Sequence, residues 1–264
     1  MTIFKGTAEY YSKYRPQYPE DVIKDLASKL SLDGTGSLLD IGCGTGTLSI
    51  SLSKYFERIL AVDIDPGMVS EGQRIAKKLG ITNIEWLAKN GEDLDSSIGT
   101  YKVVTFGNSL HWFNMEKVLK FVYSILEPGG EVVVIGGSSI WRHAPELWQQ
   151  KTLELIKQYL GEERRTVIGS YNTPTKKYSE YIKEAGFKDI KTSGFSFAQR
   201  FFTADDIVST QFSMSYASRE LLGSQAENFA KDLKSELLKI NPTNQFEDKT
   251  VGSIVIGWKE YSSL

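Results

Sequence analysis

Three glycines at alternate positions, directly after a short apolar segment, constrain the fold of this chain more than any other feature. Residues 37–41 (SLLDI) read as a buried β-strand, and Gly42, Gly44 and Gly46 follow it. A side chain in such a loop would collide with a ligand lying across the end of the strand, and glycine leaves that space open. Because doubly wound α/β sheets bind ligands outside the carboxyl ends of their strands, the loop predicts a ligand site at this edge.

Strand-like and helix-like segments alternate through the first half of the chain, which favours a parallel sheet with helices on both faces. The further strands predicted there cover residues 58–63, 83–87, 102–106 and 131–136, and the helices cover residues 20–30, 66–79 and 116–126. The second half is less regular. It is predicted to contain helices over 145–160 and 173–185, a strand-like stretch over 189–202, a broken helical stretch over 203–240 and a last strand over 251–258.

The composition limits the partners and the compartment that we expect. The chain has 264 residues and a formal net charge of −2, and it contains no long basic run that would bind nucleic acid. The apolar runs are too short to span a bilayer, and residues 1–18 lack the apolar core of a signal peptide. With Cys43 as the single cysteine, no intrachain disulfide can form, and a cytoplasmic protein is expected.

An acidic residue ends the second predicted strand. Asp63 follows Ala61-Val62, and a carboxylate at this position can accept hydrogen bonds from both hydroxyls of a ribose. Asp63 could instead cap the next helix, which begins at Pro66. We expect Asp65 to serve as that cap, which leaves Asp63 available for a ligand.

Five motifs that occur in order between residues 38 and 136 resemble those of a known family. They are residues 40–46 (DIGCGTG), 63–68 (DIDPGM), 90–94 (NGEDL), 103–112 (VVTFGNSLHW) and 126–130 (LEPGG). Together they resemble the class I S-adenosylmethionine-dependent methyltransferases. Residues 10–16 (YYSKYRP) and 111–113 (HWF) are similar to a small-molecule branch of trans-aconitate and ubiquinone-type enzymes. The resemblance implies a Rossmann-like, doubly wound α/β sheet of seven strands with helical lid insertions, S-adenosylmethionine as methyl donor and S-adenosylhomocysteine as product.

The resemblance also implies contacts with the methyl donor at the ends of successive strands. The positions are Asp40, Gly42, Cys43 and Gly44 at the methionine part, Asp63 at the ribose, Ile64 and Met68 around the adenine, Gly91 and Glu92 at the adenine edge, and Asn108 and Ser109 at the methyl-donor end. Asp40 is expected to face the ammonium group directly or through water. Met68 has a second interpretation as a core residue of its helix, because methionine commonly fills cores.

Two residues near the N-terminus are candidates for closing over the donor. Tyr14 and Arg15 would form part of a lid, in which the guanidinium could bind the methionine carboxylate in a bidentate manner. The alternative is that Arg15 is a surface residue beside Pro16.

His111 is the one candidate for a catalytic base, and no metal ligand is assigned. It follows the predicted fourth strand, where the acceptor should approach, and an imidazole titrates near neutral pH. Alternatively, His111 could have a purely structural role, packing or forming a hydrogen bond beside Trp112. Because a sulfonium leaves as a neutral thioether, the displacement mainly needs proximity and alignment, and a base is not essential.

The chain is predicted to form a single methyltransferase domain over 1–264. Residues 1–30 would form a lid over the cofactor, residues 31–138 the cofactor-binding core, and residues 139–172 and 203–245 helical caps that bind the acceptor. Aromatic residues are dense in these caps and could line an apolar acceptor pocket. The acceptor would be a small molecule, for example a carboxylate or an aromatic metabolite, methylated on O, C or N. A monomer and a homodimer are both compatible with the sequence.

Three other functions stay open at this level. A nicotinamide-dependent oxidoreductase is disfavoured because the spacing is Gly-x-Gly-x-Gly, whereas dinucleotide sites have Gly-x-Gly-x-x-Gly. A methyltransferase acting on RNA, DNA or protein is disfavoured by the near-neutral charge and by residues 108–111 (NSLH), which differ from the Asn/Asp-Pro-Pro-Tyr/Phe element of enzymes that methylate base or amide nitrogens. A non-catalytic protein that binds S-adenosylmethionine would keep the same motifs, since fold does not imply activity.

Overall fold

The computed structural model describes residues 2, 4, 6–167, 169–170 and 174–261 of the chain. These residues form two compact units, each assembled from separated stretches. The sheet unit contains residues 17–137, 173–195 and 251–264, and the helical unit contains residues 1–16, 138–172 and 196–250. A unit boundary after Pro16 therefore falls inside the predicted lid segment 1–30. The roles given to the lid, the core and the caps stay predictions.

The strands and helices are numbered separately in chain order. The strands are β1 (Ser37–Ile41), β2 (Arg58–Asp63), β3 (Ile84–Ala88), β4 (Tyr101–Gly107), β5 (Leu126–Gly137), β6 (Arg165–Thr166), β7 (Gly169–Ser170), β8 (Lys188–Ser196), β9 (Arg200–Phe202), β10 (Phe246–Asp248) and β11 (Val251–Trp258). The α-helices are α1 (Ala8–Tyr14), α2 (Glu20–Lys29), α3 (Thr47–Leu52), α4 (Pro66–Lys78), α5 (Met115–Ile125), α6 (Leu147–Leu160), α7 (Tyr178–Glu184), α8 (Ala204–Phe212), α9 (Arg219–Leu222) and α10 (Ala226–Ile240).

One seven-stranded sheet, with the order β3-β2-β1-β4-β5-β11-β8, organises the sheet unit. Neighbouring strands from β3 to β5 pair in parallel, and β11 runs antiparallel to β5. This arrangement confirms the predicted doubly wound α/β fold with seven strands. The strand order reverses at β1, because β2 and β4 lie on opposite sides of it, and a ligand crevice is expected at the carboxyl end of β1.

Helices cover both faces of this sheet. Successive residues of a strand point to opposite faces, so a strand that is apolar throughout needs a covering helix on each side. Val103 of β4 belongs to one apolar cluster, and its neighbour Val104 belongs to another. The cluster of Val103 includes Val22 and Leu26 of α2 and Leu48 and Leu52 of α3. The cluster of Val104 includes Leu119 and Val122 of α5 and Ile182 of α7. The central strands are thus buried on both faces, as the continuous apolar segments predict.

Helices α6, α8 and α10 enclose the core of the helical unit. The buried residues of this core include Trp148, Ile156, Ile207, Phe212, Phe229 and Leu233. The indole Nε1 of Trp148 donates a hydrogen bond to the backbone oxygen of Glu247 at 3.0 Å, so this buried polar group is satisfied. Many of the aromatic residues noted in this part of the sequence are therefore core residues of the unit.

Two elements of the second half differ from the sequence-based expectation. The strand-like stretch predicted over 189–202 contains two strands: β8 joins the seven-stranded sheet, whereas β9 pairs with β10 in a separate two-stranded sheet. The physical reason is that the chain passes from the sheet unit to the helical unit after Phe195. The helix predicted over 173–185 begins only at Tyr178, and its predicted first residue, Thr173, lies outside the described residues. Among the helices that the structure describes, none combines the length and the apolar character needed to cross a bilayer.

Candidate active site

The glycine-rich loop leaves β1 in a sharp turn that is fixed to the neighbouring strand. The backbone N–H groups of Gly42 and Cys43 both donate to the oxygen of Val62 in β2, at 2.8 and 3.0 Å. Gly42 and Gly44 have φ values of +69° and +56°, in the left-handed region that favours glycine. An added Cβ at Gly42 would also lie 2.5 Å from the Cβ of Ser109. The first glycine is therefore required by the protein itself, apart from any ligand.

The third glycine of the loop makes room for an indole ring. A Cβ added at Gly46, or at Gly72 in α4, would overlap the ring of Trp86 in β3. The sequence interpretation assigned this glycine to ligand access and missed its contact with Trp86. Both glycines are distant from Trp86 in sequence, so no local pattern indicated this packing.

Asp63 lies at the end of β2 with both carboxylate oxygens held by backbone donors. Oδ2 accepts a hydrogen bond from Gly44 N at 2.9 Å, and Oδ1 accepts one from Asp65 N at 2.8 Å. Each oxygen retains a lone pair that could accept a hydrogen bond from a hydroxyl group. Burial raises the pKa of Asp63, against the opposing effect of the two backbone hydrogen bonds. Its role as the ribose ligand stays a prediction.

Asp65 caps helix α4, as predicted. Its Oδ1 accepts hydrogen bonds from Gly67 N at 2.8 Å and from Met68 N at 3.3 Å. Pro66 occupies the first turn, where its missing N–H costs no hydrogen bond. The two neighbouring acids therefore have different structural roles.

Asp40 is completely buried at the carboxyl end of β1. Ser49 Oγ donates to its Oδ2 at 2.6 Å, and Thr105 Oγ1 donates to its Oδ1 at 2.8 Å. Burial raises the pKa of Asp40 to about 6, against the two hydroxyl hydrogen bonds, and the charge of Asp63 raises it further. Asp40 is consequently ionised at neutral pH, and its charge would favour a cation at the adjoining loop. Ser49 and Thr105 could not be predicted as its partners, because both lie outside the local strand pattern around Asp40.

The remaining predicted residues of the first two motifs differ in exposure. Cys43 is buried, which raises the pKa of its thiol well above the ordinary value and keeps it protonated. Ile64 is 55% exposed next to Asp63, whereas Met68 is 1% exposed within α4. Ile64 is thus an accessible apolar surface, and Met68 is buried as its core interpretation expects. The adenine contacts of both residues stay predictions.

The segment after β3 forms a short 3-10 turn, Gly91–Asp93. A Cβ added at Gly91 would lie 2.6 Å from Cγ2 of Ile41 and 2.9 Å from Cε1 of Phe113, so the turn packs tightly against the end of β1. Glu92 Oε1 accepts a hydrogen bond from Asn114 N at 2.6 Å. The third motif is therefore in direct contact with Ile41 of the first motif and with the two residues that follow the fourth. Phe113 and Asn114 are additional residues that shape this edge.

Asn108 and Ser109 fix the end of β4 to its two neighbouring strands. Asn108 has a φ of +56°, and its N–H donates to the oxygen of Ile135 in β5 at 2.6 Å. Ser109 Oγ donates to the oxygen of Ile41 in β1 at 2.5 Å. The structure thus places both residues at the same sheet edge as Gly42 and Asp63.

His111 lies in the next 3-10 turn, Leu110–Trp112, and is partly exposed. Its Nδ1 is 3.4 Å from the hydroxyl oxygen of Tyr178, the first residue of α7. Its ring centroid is 4.7 Å from that of Trp112. Tyr178 was not predicted as a site residue, because it is far from the motifs in sequence. It can orient the imidazole that the sequence proposes as a base.

Tyr14 and Arg15 belong to the helical unit, and their described contacts lie within it. Arg15 Nε donates to Ser213 Oγ at 3.1 Å, and its guanidinium lies 4.7 Å from the ring centroid of Tyr11. Tyr14 stacks on Tyr10 with a centroid distance of 6.3 Å. The predicted contact of Arg15 with the methionine carboxylate stays a prediction.

Comparison with known proteins identifies the family. Residues 20–199, which make up more than half of the chain, match the ubiE/COQ5 methyltransferase family. The chain belongs to this family. It is an S-adenosylmethionine-dependent methyltransferase, which confirms the predicted activity and methyl donor and excludes the oxidoreductase interpretation.

Relatives of this ubiE/COQ5 methyltransferase are distant in sequence. An uncharacterized methyltransferase of Schizosaccharomyces pombe is 26% identical over 247 residues, which cover 93% of this chain and 91% of that protein. A demethylmenaquinone methyltransferase of Lactococcus lactis is 29% identical over 188 residues, which cover 65% of this chain and 75% of that protein. The crystal structure of a putative type II methyltransferase from Anaeromyxobacter dehalogenans has a TM-score of 0.61 at 16% identity, and the match covers 94% of this chain and 98% of that one. This last similarity supports the fold alone.

The sheet edge of this ubiE/COQ5 methyltransferase fits its methyl donor chemically. The donor contains a sugar with two hydroxyls, a cationic sulfur and an apolar aromatic base. The edge has an oriented carboxylate with spare lone pairs at Asp63, a buried negative charge at Asp40 and an exposed apolar side chain at Ile64. Each feature suits one part of the donor.

Proposed function

We propose that the enzyme transfers the methyl group of S-adenosylmethionine to a small-molecule acceptor, such as a carboxylate or an aromatic metabolite, on an O, C or N atom. One hydrogen bond carries this proposal: Gly44 N, in the glycine-rich loop after β1, donates to Asp63 Oδ2 at the end of β2. This hydrogen bond supports a donor site that is already formed at the carboxyl ends of β1 and β2. The site would hold the donor with its methyl group free to react.

Each residue at this edge has a defined part in the proposed mechanism. S-adenosylmethionine, when bound, supplies a methyl group on a positively charged sulfur that leaves as a neutral thioether. Asp63 would hold the ribose, and Asp40 would stabilise the positive charge of the donor. Asn108 and Ser109 would limit the position of the reacting end. The protein thereby contributes alignment and exclusion of water, which are the main requirements of an in-line displacement.

His111 would act on the acceptor. Its partly exposed imidazole could accept a proton from an acceptor hydroxyl or amine, with Tyr178 holding the ring through Nδ1. An acceptor that is already ionised would need no base. The importance of His111 therefore depends on the acceptor and is left to experiment.

The choice of a small acceptor is supported by composition and by relatives. One relative is named for a demethylmenaquinone acceptor. The formal net charge of −2 provides no general attraction for the phosphates of RNA or DNA. Residues 139–172 and 203–245 are proposed to select the acceptor, and a cytoplasmic location remains our prediction from the single cysteine.

The decisive experiment uses S-adenosylmethionine with an isotopically labelled methyl group. The purified protein is incubated with a cell extract separated into metabolite, nucleic-acid and protein fractions, and the label is then located. We expect the label in the metabolite fraction, where mass spectrometry identifies the product. Label in RNA or protein would contradict the small-molecule proposal, and donor binding without transfer to any fraction would indicate a non-catalytic binding protein.

A further inference from the structure

One indole ring in the sheet unit contacts two elements that are predicted to bind different parts of the methyl donor. Trp86 lies in β3, the edge strand next to β2, and its ring reaches Gly46 in the glycine-rich loop and Gly72 in α4. Cζ3 of the ring lies 2.9 Å from the position of a Cβ added at Gly46, and Cη2 lies 2.5 Å from that of a Cβ added at Gly72. The same edge of the indole is therefore in contact with both backbones.

The loop and α4 also approach each other directly. The backbone oxygen of Thr45 lies 3.1 Å from the position of a Cβ added at Gly72, so the helix packs closely against the loop at this point. Protein interiors are close-packed, and a gap left by a smaller side chain is filled only in part by movement of its neighbours. A smaller residue in place of Trp86 would thus let the loop and α4 shift relative to each other.

Contacts within the loop carry the position of Gly46 to the residues predicted at the methionine part of the donor. Gly46 N donates a hydrogen bond to the oxygen of Cys43 at 2.9 Å. Gly46 also directly precedes α3, which contains Ser49, whose Oγ donates to Asp40 Oδ2 at 2.6 Å. A displacement of Gly46 would therefore move Cys43 and a hydrogen-bond partner of buried Asp40. The start of the loop is fixed to β2, so the end near Gly46 is the part that Trp86 holds.

The other element that Trp86 contacts is predicted to lie at the opposite end of the donor. Ile64 and Met68, just before α4 and in its first turn, are the residues predicted around the adenine. Asp65 fixes this turn through its hydrogen bonds to Gly67 N and Met68 N. The adenine part of the site therefore depends on the position of α4, and the methionine part depends on the loop.

We propose that Trp86 is a positioning residue that sets the distance between the glycine-rich loop and the start of α4, and thereby determines the affinity for the intact donor. Trp86 acts through these two elements and does not need to touch the ligand. Its effect should be confined to ligands that span both elements, because a ligand held by one element is insensitive to their separation. The inference rests on the donor contacts predicted for the loop and α4, and it does not depend on which acceptor is methylated.

Two ligands of different length test this inference on the intact protein. S-adenosylhomocysteine spans the whole site, whereas 5′-methylthioadenosine keeps the adenine, ribose and thioether and lacks the amino-acid group. In calorimetric titrations, Trp86→Leu should weaken S-adenosylhomocysteine binding by roughly tenfold or more and 5′-methylthioadenosine binding by less than about threefold. Trp86→Phe, which keeps a six-membered ring, should recover most of the lost affinity. Partial unfolding would instead lower the number of competent sites for both ligands and leave the ratio of their affinities unchanged.

Leu87→Ala provides the matched control. Leu87 is the next residue of β3, and its side chain packs against the apolar cluster of Val104 on the other face of the sheet. We expect Leu87→Ala to destabilise the fold and to keep the wild-type ratio of the two affinities. The inference is overturned if Trp86→Leu weakens both ligands equally, if it leaves S-adenosylhomocysteine binding unchanged, or if Leu87→Ala changes the ratio as much as Trp86→Leu does.

The wild-type affinities test the premise of this inference. If the loop binds the methionine part, S-adenosylhomocysteine binds the wild-type protein more tightly than 5′-methylthioadenosine does, and equal affinities would overturn the inference. The titrations contain no acceptor, so their outcome is independent of the proposed function. Transfer of the labelled methyl group to RNA or protein would contradict the proposed function and leave the role of Trp86 intact.

Discussion

Gly44 donates its backbone N–H to Oδ2 of Asp63 at 2.9 Å, so the loop after β1 and the acid at the end of β2 hold each other in place. The second oxygen of Asp63 is fixed by Asp65 N at 2.8 Å. The carboxylate is therefore oriented before any ligand arrives, which lowers the entropic cost of binding. A substitution of Asp63 should therefore alter the conformation of the loop after β1 and also weaken ligand binding.

Asp63→Ala should weaken the binding of S-adenosylhomocysteine by roughly 1–3 kcal/mol, because the ribose hydroxyls lose a charged acceptor. Isothermal titration calorimetry at pH 7.5 measures this directly. Asp65→Ala is the matched control: it removes the cap of α4, should cost about 1 kcal/mol of unfolding free energy, and should leave affinity unchanged. Wild-type affinity in Asp63→Ala would show that the ribose assignment is wrong.

The affinity for S-adenosylmethionine should fall as the pH decreases from 7.5 to 5, because buried Asp40, with a pKa of about 6, gains a proton and loses its negative charge. Asp40→Asn should bind the donor more weakly at pH 7.5 and show little change in affinity over the same range. A wild-type affinity that does not vary between pH 7.5 and 5 would contradict the electrostatic role of Asp40.

Asp40→Asn should also stabilise the fold at neutral pH. Since the pKa rises from 3.8 in the unfolded chain to about 6 in the folded protein, folding favours the protonated acid. Wild-type stability is therefore lost as the pH rises from about 4 to 6, and the variant avoids this loss. The gain in unfolding free energy at pH 7.5 should be about 1–3 kcal/mol. Denaturant unfolding at pH 4 and pH 7.5 measures it, and an equal effect at both pH values would exclude this explanation.

Glu131→Gln should stabilise the protein at pH 8 and have little effect at pH 4. Glu131 is buried in β5, and its Oε2 has no hydrogen-bond partner within the described residues. Burial raises its pKa from 4.5 to about 7, against the effects of Lys102 and Trp258. Folding thus favours the protonated form, and stability decreases between about pH 4.5 and 7.

The expected gain for Glu131→Gln is about 1–3 kcal/mol at pH 8, measured by urea unfolding. Glu127→Gln, on the same strand but exposed, should change the unfolding free energy by less than about 0.5 kcal/mol. A destabilised Glu131→Gln at pH 8 would indicate that the ionised acid has a favourable partner.

Gly72→Ala should destabilise the protein by about 1–3 kcal/mol, because its Cβ would overlap the ring of Trp86. In an unobstructed helix the same change stabilises by about 0.5–1 kcal/mol. In a Trp86→Leu background we therefore expect Gly72→Ala to be neutral or stabilising. A double-mutant cycle from thermal unfolding measures the coupling, and additive effects would contradict the contact.

His111→Asn should lower kcat by roughly 10²–10⁴ if the imidazole removes the acceptor proton, and the acidic limb of the pH–rate profile should disappear. Tyr178→Phe should reduce kcat several-fold and keep that limb, since it affects only the orientation of the ring. The measurement uses the acceptor found by labelled methyl transfer. A pH–rate profile of His111→Asn identical to that of the wild-type enzyme would mean that alignment of donor and acceptor alone is sufficient for the reaction.

The parallel core of the fold could be read from the sequence because its signals are local. The strands Ser37–Ile41 and Arg58–Asp63 agree with the predicted bounds, since each is a short apolar segment bounded by turn or polar residues. The strand-like stretch 189–202 was predicted, but its division into β8 and β9 was not, because the two strands follow each other closely and nothing local shows that they enter different sheets. Local patterns identify elements better than they identify pairing partners.

Residues of the candidate site could be predicted only where they belong to a local sequence motif. Asp63 could be predicted from its place after a strand, and Asp65 from the proline that follows it. The residues that hold the site in shape come from distant elements: Thr105 is 65 positions from Asp40, and Ser109 is 68 positions from Ile41. Those contacts depend on strand order, which periodicity does not provide.

The helical unit is composed of three separate stretches, residues 1–16, 138–172 and 196–250, and the chain therefore passes between the two units five times. No single cut can remove the helical unit from the sheet unit. A chimaera that exchanges this unit between relatives would need three coordinated grafts, with five new junctions. Changes of specificity in such a protein are more accessible through point substitutions than through the exchange of a contiguous module.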